Sequence, residues 1–209
     1  IDIAVPSSKE SVHEVHFNRG VAGSQAYALE FNNERPDKMP PEKAAKALKW
    51  LSNGLEEAMI AFIKQAKNNS YRLRCCFYEF EYETIAEALK DAAKKGVDVK
   101  VIYDARKEAA KNEAAIALNK IPKKLLIPRK SNPNYIQHNK FMVLLKNDAP
   151  VSVWTGSTNI TAKGIFGQCN TGHIVRDKKI AEKYLAYWNC LKSDPDNPAT
   201  RTGSLNIQE

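Results

Sequence analysis

The fold is decided by residues 71–103, which read YRLRCCFYEFEYETIAEALKDAAKKGVDVKVIY. The first part of this stretch is rich in aromatic and apolar side chains, as strands are. Thr84 can cap a helix that continues to residue 95, and Gly96 can end it. Residues 97–103 (VDVKVIY) then alternate between apolar and polar side chains, which is typical of a second strand. A strand, a helix and another strand in this order predict a βαβ unit with parallel strands and a right-handed crossover.

The segments on either side of this unit supply further elements. Residues 11–17 alternate like a strand, and apolar residues recur at every third or fourth position over 42–67, where Asn53-Gly54 bends or splits the helix. Beyond the unit, the patterns predict helices at 107–119 and 178–191, and strands at 125–128, 137–145, 151–156 and 172–176. We therefore expect an α/β fold with a mixed, largely parallel β-sheet and helices on both faces.

Prolines and a polar linker divide the chain. Three prolines between residues 36 and 41 mark the end of an irregular N-terminal segment, residues 1–40, whose one strand packs on the domain. Pro41 is well placed to start a helix, so we expect the α/β domain to cover residues 41–192. The sequence DPDNP at 194–198 predicts a linker, and residues 193–209 as a whole form a linker and tail. Such a linker favours the interpretation that the polypeptide continues into a further part.

Composition limits the classes of protein that fit. Hydrophobic residues make up 43% of the 209 and are spread along the chain, which argues against intrinsic disorder. No apolar run reaches the roughly eighteen residues of a membrane-spanning helix. The four cysteines have no C-x-x-C spacing, which favours a reducing, cytoplasmic compartment over a zinc site or a disulfide framework. The net charge of +8 attracts polyanions, but the cations are scattered, so charge alone selects no function.

Two short motifs carry side chains suited to chemistry, HNK at 138–140 and GSTN at 156–159. Residues two apart on a strand share a face, so the predicted strand presents the imidazole of His138 beside the ammonium of Lys140. The following hairpin returns the second motif, with its hydroxyl and amide groups, to the start of the first strand. One nucleophile or base, one cation and several neutral donors suit a tetrahedral phosphate. The spacing alone equally fits a polar strand edge with a Gly-Ser turn.

Residues 138–159, HNKFMVLLKNDAPVSVWTGSTN, resemble the signature of the phospholipase D superfamily: His-x-Lys, an Asp, then Gly-Ser-x-Asn. The preceding βαβ unit, which ends in VDVKVIYDAR, and the strand and helix after the signature are also similar to that family. The resemblance thus extends over residues 71–191. It implies a phospholipase D-like layered fold and a phosphodiesterase that works without a metal or other cofactor.

The resemblance also implies a role for each motif residue. His138 would attack phosphorus and form a phosphohistidine, while Lys140 and Asn159 would stabilise the equatorial oxygens. Ser157, with Gly156 beside it, would hydrogen-bond or orient groups within the substrate site. A second histidine, from another motif copy, would protonate the leaving oxygen and later activate water. Because this sequence holds one copy, the second would come from a further half of the polypeptide, which we favour, or from a homodimer mate.

Two cations outside the motifs are weaker candidates for substrate binding. Arg106 follows the second strand of the βαβ unit, at the sheet edge where ligands of open α/β folds gather, although a surface cation fits it equally well. Lys130 lies in the loop before the first motif and could touch a phosphate, although a solvated loop lysine is its simpler interpretation. Trp50, Trp154 and Trp188 lie on apolar faces, which predicts core positions rather than platforms for base stacking.

The sequence departs from the superfamily pattern in two places. The family has an Asp five residues after the Lys, where this chain has Leu145, and Asp148 is the nearest candidate for that supporting role. The family also often has an acidic residue after a later Asn, whereas Asn170 is followed here by Thr-Gly-His. We expect His173 in that stretch to be a strand packing residue rather than the missing acid.

Three functions fit these observations. We favour a phosphodiesterase that acts on nucleic acid, because the chain is basic and has no broad apolar helix to face a membrane. The alternatives are a phospholipase D that acts on phospholipid headgroups, and a catalytically silent binding or regulatory module. The displaced Asp and the single motif copy favour the silent module.

Overall fold

The computed structural model describes residues 11–20, 24–131, 136–194, 202–203 and 207. The predicted linker and tail at 193–209 lie mostly outside these residues. The strands are β1 (His13–Phe17), β2 (Tyr71–Phe77), β3 (Asp98–Asp104), β4 (Leu126–Arg129), β5 (Lys140–Lys146), β6 (Ala149–Gly156) and β7 (Thr171–Val175). The helices are α1 (Gln25–Phe31), α2 (Pro41–Ser52), α3 (Leu55–Lys64), α4 (Glu83–Lys94), α5 (Ala109–Leu118) and α6 (Lys178–Lys192).

The seven strands form one sheet in the order β1-β7-β6-β5-β2-β3-β4. The βαβ prediction is confirmed, since α4 connects β2 to a parallel β3, and β4 continues the parallel part. The other neighbours are antiparallel because β5 and β6 form a tight hairpin, β7 returns beside β6, and β1 is added at the edge. The predicted mixed α/β fold is therefore confirmed, and its sheet has more antiparallel pairs than we expected.

Helices cover both faces of the sheet, as predicted. Residues of α3 and α4 bury one face, where Cys75 of β2 lies, and α6 packs on the opposite face against Cys76. Trp154 and Trp188 are each 2% exposed and belong to these two cores, whereas Trp50 is only partly buried. Among the described helices, none is long and apolar enough to cross a membrane.

The N-terminal residues contain more structure than the sequence analysis predicted. β1 pairs with β7, and α1, which we did not predict, packs with α2 in a third apolar cluster. The helix is short, and it depends on the Ser24 hydroxyl, which accepts a hydrogen bond from the Tyr27 amide. The predicted helix over 42–67 is split at Asn53-Gly54, because both residues have positive φ. The prediction that Thr84 caps a helix is wrong, because α4 begins at Glu83 and Thr84 lies inside its first turn.

One edge of the sheet collects the ends of strands that matter for the site. Phe77 at the end of β2 lies opposite Lys140 at the start of β5, and Phe141 lies opposite Thr155 near the end of β6. The carboxyl ends of β3 and β4 lie on the same side, since all three parallel strands run in one direction. We call this side of the sheet the site edge.

Candidate active site

The first motif begins just outside the sheet. Lys140 is the first residue of β5, and His138 lies two residues earlier, so the prediction that both lie on one strand is wrong for His138. The reason is that β2 ends at Phe77, opposite Lys140, and leaves no strand partner for His138. The intervening Asn139 still holds the turn, because its carbonyl accepts a hydrogen bond of 2.8 Å from the Tyr78 amide. His138 is therefore presented at the rim of the site edge with an exposed side chain.

The environment of His138 favours the neutral imidazole. Its ring meets the Tyr78 ring edge-on, with 5.0 Å between the centroids. Partial burial and the neighbouring charge of Lys140 lower the pKa of His138 below its ordinary value, while Glu79 opposes the shift. A neutral imidazole has a free lone pair, which is the form that can act as a nucleophile or a base.

Lys140 is a buried cation, only 8% exposed. Its Nζ donates a hydrogen bond of 3.0 Å to the His138 carbonyl and lies 5.5 Å from the Tyr78 ring centroid. Burial lowers the pKa of Lys140 to about 8, with Glu79 again opposing the shift. An ammonium held this way by the backbone beside His138 can neutralise the charge of a phosphoryl group.

The second motif is held against β7 by its backbone and hydroxyls. A side chain on Gly156 would place its Cβ 2.1 Å from the Thr171 carbonyl oxygen, so only glycine allows this approach. The Ser157 hydroxyl donates to Asn170 Oδ1 at 2.8 Å and accepts from the Thr171 amide at 3.1 Å. The Thr158 hydroxyl also bonds the Thr171 carbonyl, at 2.9 Å. These bonds fix the turn that leads to the last residue of the motif, Asn159.

Asn159 carries a polar atom that has no partner among the described residues. Its side-chain oxygen is buried and accepts no hydrogen bond there. The oxygen and nitrogen of an amide can exchange places by a flip, so this position can present an acceptor or a donor. Because an unpaired buried polar group costs free energy, the arrangement is typical of a group that a ligand completes.

Ser157 is supported by a hydrogen-bond network through Asn170 and Asn18 that the sequence does not predict. Besides Ser157, the Asn170 side chain contacts the Gly164 carbonyl, to which it donates at 2.7 Å. The buried Asn18 accepts from the Asn170 amide at 2.7 Å and donates to the carbonyls of residues 165 and 168. The sequence singles out Asn170 only as the residue after which the family often has an acid, and not as the partner of Ser157. Nothing near Asn18 in the sequence points to the site.

The remaining predicted residues lie apart from the two motifs. Asp148 is in the turn after β5, at the opposite end of that strand from Lys140, where it pairs with Arg72. The supporting role that we assigned to Asp148 therefore does not fit its position. Arg106 lies at the site edge and donates to the Ser131 carbonyl at 3.2 Å. Lys130 lies at the same edge and is exposed, and its amide donates to Asp194.

A group of carboxylates lies beside Tyr78. Oxygens of Glu79, Glu81 and Glu108 all lie within 4.8 Å of one another, which makes them the described residues best placed to hold a cation. The Tyr78 hydroxyl donates to Glu108 at 3.2 Å, and burial together with the neighbouring carboxylates raises the pKa of Tyr78 to about 12. Tyr78 therefore stays neutral, with its hydroxyl bonded to Glu108 and its ring next to Lys140.

His173 is the other histidine near this part of the sheet. It lies on β7, and its Nε2 is 3.1 Å from Nδ1 of His13 on β1. Burial and the neighbouring His13 lower the pKa of His173. Its partner is thus another imidazole rather than the motif residues.

Comparison with known proteins assigns the chain to a family. The chain belongs to the family described as cardiolipin synthase, PLD-like domain, which matches residues 59–191. Among solved structures, it is similar to Nuc of Salmonella typhimurium, described as a phospholipase D family member. The two share 31% identity over 64% of this chain and 84% of Nuc, with a TM-score of 0.53. These matches confirm the resemblance to the phospholipase D superfamily.

A second solved structure shows the same fold at lower identity. NucT of Helicobacter pylori is 22% identical over 66% of this chain and 87% of its own, with a TM-score of 0.54. A search of curated protein sequences found no match. Residues 11–58, which contain β1, α1, α2 and the start of α3, precede the family match.

Proposed function

We propose that this chain is a phosphodiesterase in which His138 is the nucleophile. The observation that carries the proposal is the placement of an exposed imidazole of lowered pKa two positions before the buried Lys140, whose ammonium donates a hydrogen bond to the His138 backbone carbonyl. The lowered pKa keeps the imidazole nucleophilic at neutral pH, and the ammonium supplies positive charge where a phosphoryl group would bind. Asn159 adds a side-chain amide whose oxygen has no hydrogen-bond partner among the described residues.

The reaction has two steps in this proposal. A nitrogen of His138 forms a bond to phosphorus as the bond from phosphorus to the leaving oxygen breaks, and Lys140 and Asn159 stabilise the equatorial oxygens. A second histidine gives its proton to the leaving oxygen, then takes a proton from water. That water attacks phosphorus and releases His138 with a phosphate monoester. Lys140 stabilises negative charge on the phosphoryl oxygens in both steps, and neither step uses a metal.

The second histidine comes from another motif copy, in a homodimer mate or in a further phospholipase D-like half. Among the described residues, His173 is bonded to His13 and is therefore not free for this task. His16 is bonded to Glu14 at 2.8 Å, away from the motif residues. Since the histidines of the given sequence are His13, His16, His138 and His173, the acid histidine in this proposal is expected to come from another copy of the motif.

Nucleic acid is the substrate that we favour. The chain has a net charge of +8, and the exposed Lys130 and the partly exposed Arg106 lie at the site edge. Such cations attract the repeated phosphates of a polynucleotide more than the single phosphate of a lipid headgroup. The second candidate is a phospholipid headgroup, because the matching family is described by cardiolipin synthase.

Hydrolysis assays test the proposal. Labelled DNA and RNA, and vesicles of phosphatidylcholine or phosphatidylglycerol, are incubated with the chain in excess chelator. We expect chelator-resistant cleavage of nucleic acid that falls by at least roughly a thousandfold in His138→Ala. His173→Ala is the matched control and should keep its activity. Metal-dependent cleavage that is indifferent to His138→Ala would overturn the proposal.

A trapping experiment tests the covalent step separately. With a substrate labelled at the scissile phosphate, denaturation in base should leave label on the unsubstituted chain, because a phosphohistidine survives base and is lost in acid. His138→Ala should retain none. Binding of nucleic acid without hydrolysis or label, at concentrations where the chain associates, would instead identify the silent binding module.

A further inference from the structure

A shallow groove of about 550 Å³ lies between the segment after β1 and the helices α2 and α3. We call it the basic groove, and its lining residues are Arg19, Lys46, Lys49, Trp50, Asn53, Gly54 and Glu57. All of them precede residue 59, where the family match begins. The groove is therefore built by residues that this chain adds to the shared domain.

Among the described residues, the lining of the basic groove has more cations than carboxylates. Arg19, Lys46 and Lys49 face a single lining carboxylate, Glu57, which accepts a hydrogen bond from Ser52. Within the ranges that the structure describes, no ion pair involves these three cations, although other cations near α2 are paired, such as Lys43 with Glu34. Cations without a carboxylate partner can bind phosphates without first breaking an ion pair.

Arg19 is held in place in a way that suits binding. Its guanidinium carbon lies 4.6 Å from the centroid of the Trp50 ring, and its Nη1 donates to the Trp50 carbonyl at 3.0 Å. The Trp50 ring is itself packed edge-on against Tyr27 and Phe31, at 5.6 and 6.0 Å between centroids. Less side-chain entropy is lost when a guanidinium held this way binds, and its planar shape fits phosphate oxygens or the face of a base.

The basic groove begins where the candidate active site ends. Phe17 pairs with Thr171 at the site edge, and Arg19 follows Asn18, which holds Asn170 behind Ser157. The Arg19 amide then bonds the Leu51 carbonyl at 2.9 Å, which joins this segment to the end of α2. A nucleic-acid strand that left the Ser157 motif along this side of the protein would reach the basic groove at Arg19, and Lys46 and Lys49 line the same groove.

We propose that the basic groove binds the phosphate backbone of the nucleic-acid strand that flanks the phosphodiester held at His138. This inference rests on the proposed function and adds a second binding region to it. It gives the site a preference for a polynucleotide over a single phosphodiester, because the flanking phosphates contribute binding energy that a short substrate lacks.

Salt-dependent binding tests the basic groove. The Lys46→Ala/Lys49→Ala variant is made in a His138→Ala chain, so that no strand is cut, and its affinity for a labelled single-stranded oligonucleotide is measured by fluorescence anisotropy over a range of salt concentrations. Each lost phosphate contact should lower the slope of log affinity against log salt by about 0.7. The matched control, Lys123→Ala/Lys124→Ala, removes the same charge just before β4, at the opposite end of the sheet, and should leave the slope unchanged.

The outcomes separate the groove from general electrostatics. A lower slope in the groove variant alone supports the proposal, provided that circular dichroism shows both variants folded. Equal slopes in the two variants would overturn it. So would a dependence on Lys46 and Lys49 for binding phosphatidylglycerol vesicles but not oligonucleotides. Failure of the unsubstituted chain to cleave any phosphodiester counts against the proposed function and leaves the binding result standing.

Discussion

Lys140 and His138 both have lowered pKa values, and the proposed chemistry requires a charged Lys140 beside a neutral His138. His138 must be neutral and Lys140 charged, which defines a window between the lowered pKa of His138 and a pKa of about 8 for Lys140. Burial lowers both pKa values. It therefore extends this pH range on the acidic side, which His138 sets, and shortens it on the basic side, which Lys140 sets.

We predict a bell-shaped pH dependence of kcat/KM for phosphodiester hydrolysis. The rate rises with pH through the pKa of His138, below the ordinary 6.5, because the neutral imidazole appears. It falls on the basic side in two stages. The second histidine loses the proton that it gives to the leaving oxygen, and Lys140 loses its charge at about 8. A Lys140→Arg variant has a lower rate but should lose the fall near pH 8, since arginine stays charged. A fall near pH 8 that persists in this variant would contradict the assignment to Lys140.

Ser157 and Asn170 should act as one unit. In a double-mutant cycle of Ser157→Ala and Asn170→Ala, we expect the effects on kcat to be less than additive, with a coupling energy of about 1 kcal/mol, because the 2.8 Å bond between them is lost in either single variant. Steady-state kinetics of the four proteins measure the coupling. Strictly additive effects would show that Asn170 does not position Ser157.

The residues that the sequence could reveal are those whose partners are close in sequence. His138 and Lys140 can be found because they lie two positions apart, and Ser157 and Asn159 because they share a four-residue motif. Asn18 could not be found, since its contacts at 165–170 come from the other end of the chain. Contacts of this kind are set by the tertiary fold and leave no local pattern.

At the scale of elements, the ends of β4 and α6 are tied together. Asp194, after α6, accepts hydrogen bonds from Arg129 Nε at 3.3 Å, the Lys130 amide at 2.7 Å and the Ser131 hydroxyl at 2.6 Å. Burial alone would raise the pKa of Asp194, but these hydrogen bonds outweigh it and lower the pKa. The contact fixes the start of the segment that leads toward His138.

We predict that Asp194→Ala lowers the free energy of unfolding by about 1–3 kcal/mol, because several donors lose a shared charged acceptor. Since the pKa of Asp194 is lowered in the folded state, this contribution is present above the unfolded pKa and is lost as pH falls through the folded one. Urea unfolding at neutral and acidic pH measures both effects. Asp37→Ala, which breaks the exposed pair with Arg35, is the control and should lower the free energy of unfolding much less, because solvent screens that pair. Equal costs in the two variants would contradict the prediction.

The sequence predicts the bounds of an element well where its periodicity is strong. It predicts them poorly where a strand ends because its neighbouring strand ends. The βαβ unit was predictable because both strands and α4 carry clear patterns. β5 was expected from residue 137 but begins at Lys140, because β2 ends opposite that residue. Strand ends depend on the partner, which a single segment of sequence does not contain.

At the scale of the whole molecule, a single motif copy predicts activity that depends on association. If a homodimer completes the site, activity per chain should rise with protein concentration and follow the dimer fraction measured by sedimentation velocity. The physical reason is that each copy contributes one of the two histidines. Full activity in a solution shown to be monomeric would contradict the need for a second copy.

The antiparallel pairing of β1 with β7 also makes the family-matched unit dependent on residues outside it. A protein that started at residue 59 would lack Asn18, and with it the acceptor of the Asn170 amide and the donor to the 165–168 turn. It would also leave β7 as a bare sheet edge, open to aggregation. A protein cut at the family boundary would therefore lose the residues that support Ser157 through Asn170, and a shortened version for biochemical work should keep the strand at His13–Phe17.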